Sequence, residues 1–216
     1  MTNVAVPKAV GLEPNMEALG GVVEVDSPLK GAHQHRNLAL AMAAAVELAE
    51  THGFAVSAVA IEKGIRETRW PARLERLTQG GVAWILDVAH NPAGAWALRA
   101  GLNSQPGGER PGMLIFSCLR DKPVDEMAQI LFPLFDEVIV APIHSSRAAS
   151  MESLLKAAEA TGTRAVQAES VPAALEMARQ QLSKAGREPG VVVISGSVYL
   201  VGEARTLLIN AGGMAP

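Results

Sequence analysis

The sequence is poor in several features that mark particular classes of protein. It has one cysteine, Cys118, which excludes an internal disulfide framework and indicates a reducing compartment. Aromatic residues make up 4% of the chain, and its 19 basic residues form no block among 22 acidic ones, so we expect no nucleic-acid partner. No apolar run approaches the roughly 18 residues of a membrane span, and the first residues do not resemble a signal peptide. We therefore expect a cytoplasmic protein with no membrane partner.

Self-contained motifs for nucleotide, metal or acyl chemistry are also missing. No glycine is followed directly by lysine, so there is no G-x-x-x-x-G-K-[ST] loop, and G-x-G-x-x-G and H-E-x-x-H are absent as well. A zinc site built on paired cysteines is excluded by the single cysteine. The turn Ser195-Gly196-Ser197 does not supply the Gly-x-Ser-x-Gly elbow of an α/β hydrolase. The sequence thus predicts no metal site and no complete nucleotide site of its own.

From residue 81 onward, short apolar runs alternate with helical patterns. The runs cover 82–88, 113–118, 137–141, 165–167 and 191–195, and helices are predicted at about 92–103, 123–133, 150–160, 171–185 and 197–210. This alternation predicts an α/β fold, with a mostly parallel Rossmann-like sheet covered by helices on both faces.

The part before residue 81 has a different pattern. One short strand is possible at Gly21–Asp26, and two helices are predicted at 32–50 and 58–67. This is too little to form a full domain, so we expect a short helical remnant of one. Residues 75–81 are polar and end in two glycines, and we expect them to be a hinge.

Polar residues follow the ends of the predicted strands. The run 82–88 contains Asp87 near its end, and His90, Asn91 and Pro92 follow it. Asn91 suits the N-cap and Pro92 the first position of a helix. That geometry does not explain Asp87 and His90. Ligands bind at the carboxyl edge of such sheets, so these two side chains are candidates for a site. Further polar groups follow the other runs at 120–122, 144–147 and 195–197, although any of them could instead be a cap or a solvated loop residue.

Five motifs in register resemble folylpolyglutamate synthase/dihydrofolate synthase, a family of the Mur ligase superfamily. In chain order they are Gly31-Ala-His-Gln-His-Arg-Asn37, Trp70-Pro-Ala-Arg-Leu-Glu75, Leu86-Asp-Val-Ala-His-Asn-Pro92, Leu119-Arg-Asp-Lys122 and Gly196-Ser-Val-Tyr-Leu-Val-Gly-Glu203. Ala72 and Val88 stand where the family usually has glycine, and neither departure removes a functional side chain.

The resemblance implies an ATP-dependent acid–amino acid ligase that also uses magnesium. Such enzymes add L-glutamate to folate or dihydropteroate through an acyl phosphate. Residues 1–75 would be the end of the central ATP-binding domain, and residues 76–216 the Mur ligase C-terminal domain. The P-loop and most magnesium ligands of the family lie upstream, so we expect a C-terminal fragment that partners a missing N-terminal P-loop domain and is inactive alone.

The resemblance also implies roles for four residues at the nucleotide. Asn37 matches an asparagine at the adenine, Arg73 an arginine at the ATP phosphates, and Asp87 an aspartate near the ribose. His90 matches a histidine near the transferring phosphate, so His90 and Arg73 are the expected catalytic residues. Domain closure would bring these two charges together and exclude water.

Lys122 and Ser197 are the residues expected to bind the incoming glutamate. Lys122 resembles a lysine that related ligases place on the amino acid's carboxylate, and Ser197 could assist through its hydroxyl and backbone N–H.

Two alternatives for the function of the protein stay open. One is a cell-wall Mur-type ligase with the same chemistry and another acceptor. The other is a non-catalytic ligand-binding or subunit-contact module, which the missing P-loop favours.

Overall fold

A computed structural model describes residues 15–29, 32–104, 112–184 and 190–212. The chain divides into two compact units, Met1–Pro71 and Ala72–Pro216. The division therefore falls before Ala72, whereas the sequence placed the domain boundary between residues 75 and 76. The reason is that the stretch 72–74 already bonds to the second unit, because the backbone N–H of Val88 donates to the carbonyl oxygen of Ala72 at 3.1 Å.

The first unit contains an antiparallel hairpin and two helices. Its elements are β1 (Asn15–Ala18), β2 (Gly21–Glu24), α1 (Ala32–His52) and α2 (Ala58–Glu67). Ser57 caps α2, because its side chain accepts a hydrogen bond from the Ala60 N–H at 3.2 Å. A small apolar core is shared by β2 and both helices, namely Val23, Leu38, Met42, Val46, Ile61 and Ile65. The single strand predicted at Gly21–Asp26 is the second strand of this hairpin.

The second unit is built on a six-stranded sheet with strand order β3-β4-β8-β5-β6-β7. Strand β3 pairs antiparallel with β4, and the other pairs are parallel. This confirms the predicted mostly parallel α/β fold. The elements are β3 (Glu75–Gln79), β4 (Val82–Asp87), α3 (Pro92–Asn103), β5 (Met113–Phe116), α4 (Val124–Leu131), β6 (Glu137–Val140), α5 (Met151–Ala160), β7 (Arg164–Gln167), α6 (Val171–Lys184), β8 (Gly190–Ser195) and α7 (Val198–Gly212).

Strand β4 shows why the sheet needs helices on both faces. All six of its residues are buried, and their side chains alternate between two cores. Ala83 and Ile85 join the core that includes residues of α3, α4 and α5. Trp84 and Leu86 join the core that includes residues of α6 and α7. An unbroken apolar strand of this kind is typical of a parallel sheet covered on both sides.

The hinge expected at residues 75–81 is wrong. Residues 75–79 form the edge strand β3, which pairs with β4 from Glu75 opposite Leu86 to Gln79 opposite Val82. Gly80 and Gly81 are the two residues of the connecting turn, with φ of 60° and 75°. A two-residue hairpin turn of type I′ has positive φ at both positions, which two glycines supply without strain.

Candidate active site

The carboxyl edge of the sheet brings together three of the polar strand ends. Strand β8 lies between β4 and β5, and Ser195 pairs with Asp87 on one side and Phe116 on the other. These three residues therefore form one row across the sheet, with neighbouring strands about 4.8 Å apart. The segments that carry His90, Lys122 and Ser197 all leave from this row. The topology thus gathers three of the predicted site residues at one edge.

Arg73 reaches the same edge on a bent segment that precedes β3. The flanking residues Ala72 and Leu74 have φ of 58° and 50°, in the left-handed region. The N–H of Leu74 donates to Oδ2 of Asp87 at 2.9 Å, and the carbonyl of Ala72 accepts the N–H of Val88. Arg73 is half-buried, and its charge acts on the Asp87 carboxylate. The end of β4 therefore holds Arg73 beside Asp87.

Asp87 lies beneath this segment, with 5% of its surface exposed. Burial raises the pKa of its carboxyl from 3.8 to about 6, against the opposing effects of the Leu74 N–H, the Arg73 charge and the Ala89 N–H. One carboxylate oxygen is engaged by the Leu74 backbone. The immediate contact of this side chain is thus with the segment that carries Arg73.

His90 is exposed in the turn between β4 and α3. Its Nδ1 lies 2.9 Å from the carbonyl oxygen of Val88. Because a carbonyl can only accept, this contact places the proton on Nδ1 and leaves Nε2 for a ligand. Asn91 follows as the N-cap of α3, since its Oδ1 accepts from the Gly94 N–H at 2.8 Å. The predicted cap at Asn91-Pro92 is confirmed, and it fixes the turn that presents His90.

Ser197 lies at the turn from β8 into α7. Gly196 has φ of 105°, and a Cβ at this position would clash with the Ser117 carbonyl oxygen and the Phe116 ring, so only glycine fits. Ser197 is 2% exposed, and its Oγ accepts from the Tyr199 N–H at 3.2 Å. The Ser197 hydroxyl keeps its own proton as a donor at the start of the helix.

Lys122 lies between β5 and α4 in a small charged cluster. Its Nζ is 3.6 Å from Oδ2 of Asp121, and Nη2 of Arg147 is 2.7 Å from the same oxygen. The Arg120 N–H also donates to the Arg147 carbonyl at 2.8 Å, which joins the segments after β5 and β6. Sequence reasoning named these residues as polar strand ends and missed their pairing. The feature of the sequence that could have indicated this pairing is that the segments 120–122 and 144–147 follow two consecutive predicted strands.

Asn37 belongs to the first unit. It is exposed on α1, and its side-chain amide donates to Oε1 of Gln34 at 3.0 Å. Gln34 is itself 4% exposed. The amide of Asn37 is therefore oriented by the residue one turn before it.

Two further findings concern the described part of the chain. Among those residues, no group of three or more His, Cys, Asp and Glu side chains is arranged to hold a metal ion. None of the helices there is long and apolar enough to cross a membrane.

Cys118 is buried after β5, and burial, together with the Asp121 charge, raises its pKa to about 12, so this thiol is no nucleophile at neutral pH.

The fold and its polar edge define an α/β ligand-binding domain of the open-sheet class. Residues 72–198 match the family described as "Mur ligase, glutamate ligase domain". The chain therefore belongs to the Mur ligase family, through its glutamate ligase domain.

Known proteins similar to this chain come from the folate branch of that family. Dihydrofolate synthase/folylpolyglutamate synthase of Mycobacterium tuberculosis is 36% identical over 206 residues, which cover 89% of this chain and 42% of that protein. A structure of folylpolyglutamate synthase from the same organism, complexed with ADP and AMPPCP, has 37% identity and a TM-score of 0.75 over 88% of this chain and 43% of that one.

A more distant structural match carries a metal ion. It is the bifunctional folylpolyglutamate synthase/dihydrofolate synthase of Yersinia pestis, complexed with AMPPNP and a manganese ion. Its identity is 26% and its TM-score 0.64, over 87% of this chain and 41% of that one. The chain thus spans less than half the length of these relatives.

Proposed function

We propose that this chain is the glutamate-ligase portion of an ATP-dependent enzyme that adds L-glutamate to folate or dihydropteroate. The observation that carries the proposal is the convergence of the segments after β4, β5 and β8 at one sheet edge, with a different charged or hydroxyl side chain on each. The relatives that share this fold are named as folylpolyglutamate and dihydrofolate synthases, which supports the folate branch over a cell-wall ligase. Because the chain spans only part of them, the proposal includes a partner portion that supplies the P-loop.

Arg73 and His90 are assigned to the phosphates. A guanidinium offers five donors in a fixed fork suited to phosphate oxygens, and Arg73 is already held in place by the end of β4. His90 is exposed, and Nε2 is the ring nitrogen that its contact with Val88 leaves for the transferring group. Asp87 supports Arg73 from beneath, and contact with the ribose is assigned to its second carboxylate oxygen. Asn37 is assigned to the adenine.

The Arg73 guanidinium fits an anionic nucleotide, since it offers only N–H donors toward phosphate. Magnesium, when bound, would neutralise charge on the phosphates. We assign its ligands mainly to the partner portion. Nucleotide binding by this chain and its partner portion is supported by the ADP and AMPPNP–manganese complexes of the relatives.

Lys122 and Ser197 are assigned to the glutamate. The ammonium of Lys122 would pair with a carboxylate, and the Ser197 hydroxyl and N–H would hold an oxygen at the start of α7. In the reaction, a carboxylate oxygen of the folate substrate attacks the γ-phosphorus and ADP leaves. The glutamate amine then attacks the acyl carbon, phosphate leaves, and the nitrogen loses a proton. Lys122 and Ser197 position that amine, so their effect belongs to the second step.

The kinetic test uses an assembled ligase, meaning this chain joined to the portion of the Mycobacterium tuberculosis relative that it does not match. We expect Arg73→Ala and His90→Ala each to lower kcat by about 100-fold, because they remove contacts to the transferring phosphate. We expect Lys122→Ala to raise the KM for glutamate by about tenfold while the KM for ATP changes little, because it removes binding to one substrate only.

The matched control is Lys156→Ala, which removes an exposed lysine from α5. This variant should keep normal kinetics. Normal turnover after Arg73→Ala or His90→Ala would remove those assignments, and an unchanged glutamate KM after Lys122→Ala would remove the third.

A further inference from the structure

The segment that carries Arg73 has a backbone shape that needs outside support. Arg73 stands between Ala72 and Leu74, two non-glycine residues that both have positive φ. This region is unfavourable for residues with a Cβ, and such conformations persist only where the surroundings determine them. Asp87 and Val88 support the segment from β4, as described above. A second support comes from Glu75 and Arg205, which lie 130 positions apart in the chain.

Glu75 and Arg205 form that second support. Oε2 of Glu75 accepts the N–H of Ala72 at 2.8 Å. Arg205 on α7 donates to the same carboxylate through Nε at 3.1 and 2.9 Å and through Nη2 at 3.0 Å. Both side chains are partly buried, with 33% of Arg205 and 20% of Glu75 exposed. A guanidinium bound to both oxygens fixes a carboxylate in orientation as well as in place.

The ionisation of Glu75 agrees with this arrangement. Burial by itself would raise the pKa of Glu75, but the hydrogen bonds from Arg205 and the Ala72 N–H outweigh it and hold the pKa below the ordinary value. The carboxylate is therefore charged at neutral pH and stays a strong acceptor for the Ala72 N–H.

We infer that Glu75 and Arg205 are positioning residues, which hold the 72–74 turn in the shape that places the Arg73 guanidinium at the sheet edge. This inference rests on the proposed function, because it gives the pair an effect on turnover through Arg73. The pair also ties that turn to α7, the helix that begins beside Ser197. The arginine assigned to the phosphates and the serine assigned to glutamate thus share one rigid support.

A second arginine at the other end of β3 provides a matched control. Nη2 of Arg179 on α6 donates to Oε1 of Gln79 at 2.6 Å, and its guanidinium lies 5.2 Å from the Trp84 ring centroid. Gln79 is next to the hairpin turn, whereas Glu75 lies opposite Leu86 near the carboxyl edge. The two ends of the strand are about 13 Å apart at 3.3 Å per residue. Arg179→Met therefore removes an edge-strand tie without touching the 72–74 turn.

The kinetic test is a double-mutant comparison in the assembled ligase. We expect Arg205→Met to lower kcat/KM for ATP by about tenfold, because small misplacements of a catalytic group are costly. The glutamate KM should stay unchanged, Arg205→Lys should recover part of the loss, and Arg179→Met should have no effect. In an Arg73→Ala background, Arg205→Met should add less than about a twofold loss, because the group that it positions is already gone.

Losses that multiply in the double variant, or an equal loss from Arg179→Met, would overturn the inference and leave the proposed function intact. No loss from Arg73→Ala itself would remove the assignment of Arg73 to the phosphates and, with it, this inference.

A readout on the 216-residue chain separates the support from the reaction. We expect amide hydrogen exchange of the 72–74 segment to become about tenfold faster in Arg205→Met and Glu75→Gln, because the Ala72 N–H loses a fixed charged acceptor. Arg179→Met should leave that exchange unchanged. Exchange that is unaffected in Arg205→Met and Glu75→Gln would show that the pair does not hold the turn, whatever the ligase assay gives.

Discussion

At the scale of single residues, Asp87 is the group whose environment differs most from what its position in the sequence indicates. A carboxylate at the end of a buried strand was expected to face a ligand. Asp87 is 5% exposed, and one of its two carboxylate oxygens accepts the Leu74 N–H, which stabilises the turn around Arg73. Removing a charge from water is costly, and the raised pKa reflects that cost.

The raised pKa makes stability depend on pH in a defined window. Between about pH 4 and pH 6 the folded protein keeps a proton on Asp87 that the unfolded chain has released. The free energy of unfolding therefore falls as the pH rises through this window, and the loss is complete above the folded-state pKa. We expect a contribution on the order of 2–3 kcal/mol. Asp87→Asn can still accept the Leu74 N–H, but its side chain does not titrate. Its free energy of unfolding relative to the parent protein should therefore increase as the pH rises from 4 to 7.5.

Urea unfolding followed by tryptophan fluorescence measures this difference. Trp84 is fully buried in the second unit, whereas Trp70 and Trp96 are more than half exposed, so the signal reports mainly on the sheet. A stability difference between Asp87→Asn and the parent that stays constant across the pH range would contradict the expectation.

The location of the strand-end residues at one edge of the sheet could be predicted from the sequence, but their contacts could not. His90, Lys122 and Ser197 follow apolar runs, and the rule that parallel strands share a carboxyl edge places them together. The burial of Asp87 depends on a turn thirteen residues earlier that folds back over β4. The bond from Arg205 to Glu75 joins positions 130 residues apart. Contacts of this kind depend on packing in three dimensions, and neither periodicity nor local spacing encodes them.

At the scale of elements, helices with clear caps were predicted well and the edge strand was missed. The predicted helices 58–67 and 92–103 are confirmed as α2 and α3, each with a side chain that caps its first turn. Strand β3 was interpreted as a hinge because Glu75, Arg76, Thr78 and Gln79 are polar. Edge strands tolerate such residues, since one face and one edge meet solvent. The Gly80-Gly81 pair before an apolar run was the available signal for a hairpin.

The hairpin turn gives a test of this corrected assignment. Gly81 has φ of 75° and no atom within 4 Å of an added Cβ, so a substitution there changes backbone strain and nothing else. We expect Gly81→Ala to lower the free energy of unfolding by about 1 kcal/mol, because alanine is strained at positive φ. Gly81→Asn should cost much less, since asparagine tolerates this conformation.

Urea unfolding again gives the measurement, and Gly202→Ala is the control. Gly202 lies within α7, also with no atom near an added Cβ, and lacks positive φ. Alanine there should be neutral or stabilising by up to about 1 kcal/mol. Equal losses from alanine and asparagine at position 81 would argue against a strained turn.

At the scale of the whole molecule, the chain combines a small first unit with a larger sheet unit. Among the residues that the structure describes, the first unit has a core of six buried apolar residues, whereas the second has an extensive core on each face of its sheet. The family match covers residues 72–198, which lie entirely in the second unit. The relatives are more than twice as long as the region matched. These proportions support the proposal that this chain works together with a further portion that supplies the P-loop.

The most direct test of the central claim is phosphate release from ATP, measured for the chain alone and for the assembled ligase. We expect no release above background from the 216-residue chain, because it contains no P-loop sequence. The assembled ligase should release phosphate only when both the folate substrate and L-glutamate are present, in an amount equal to the amide formed. Turnover by the chain alone, or phosphate release by the assembled ligase that does not depend on glutamate, would contradict the account.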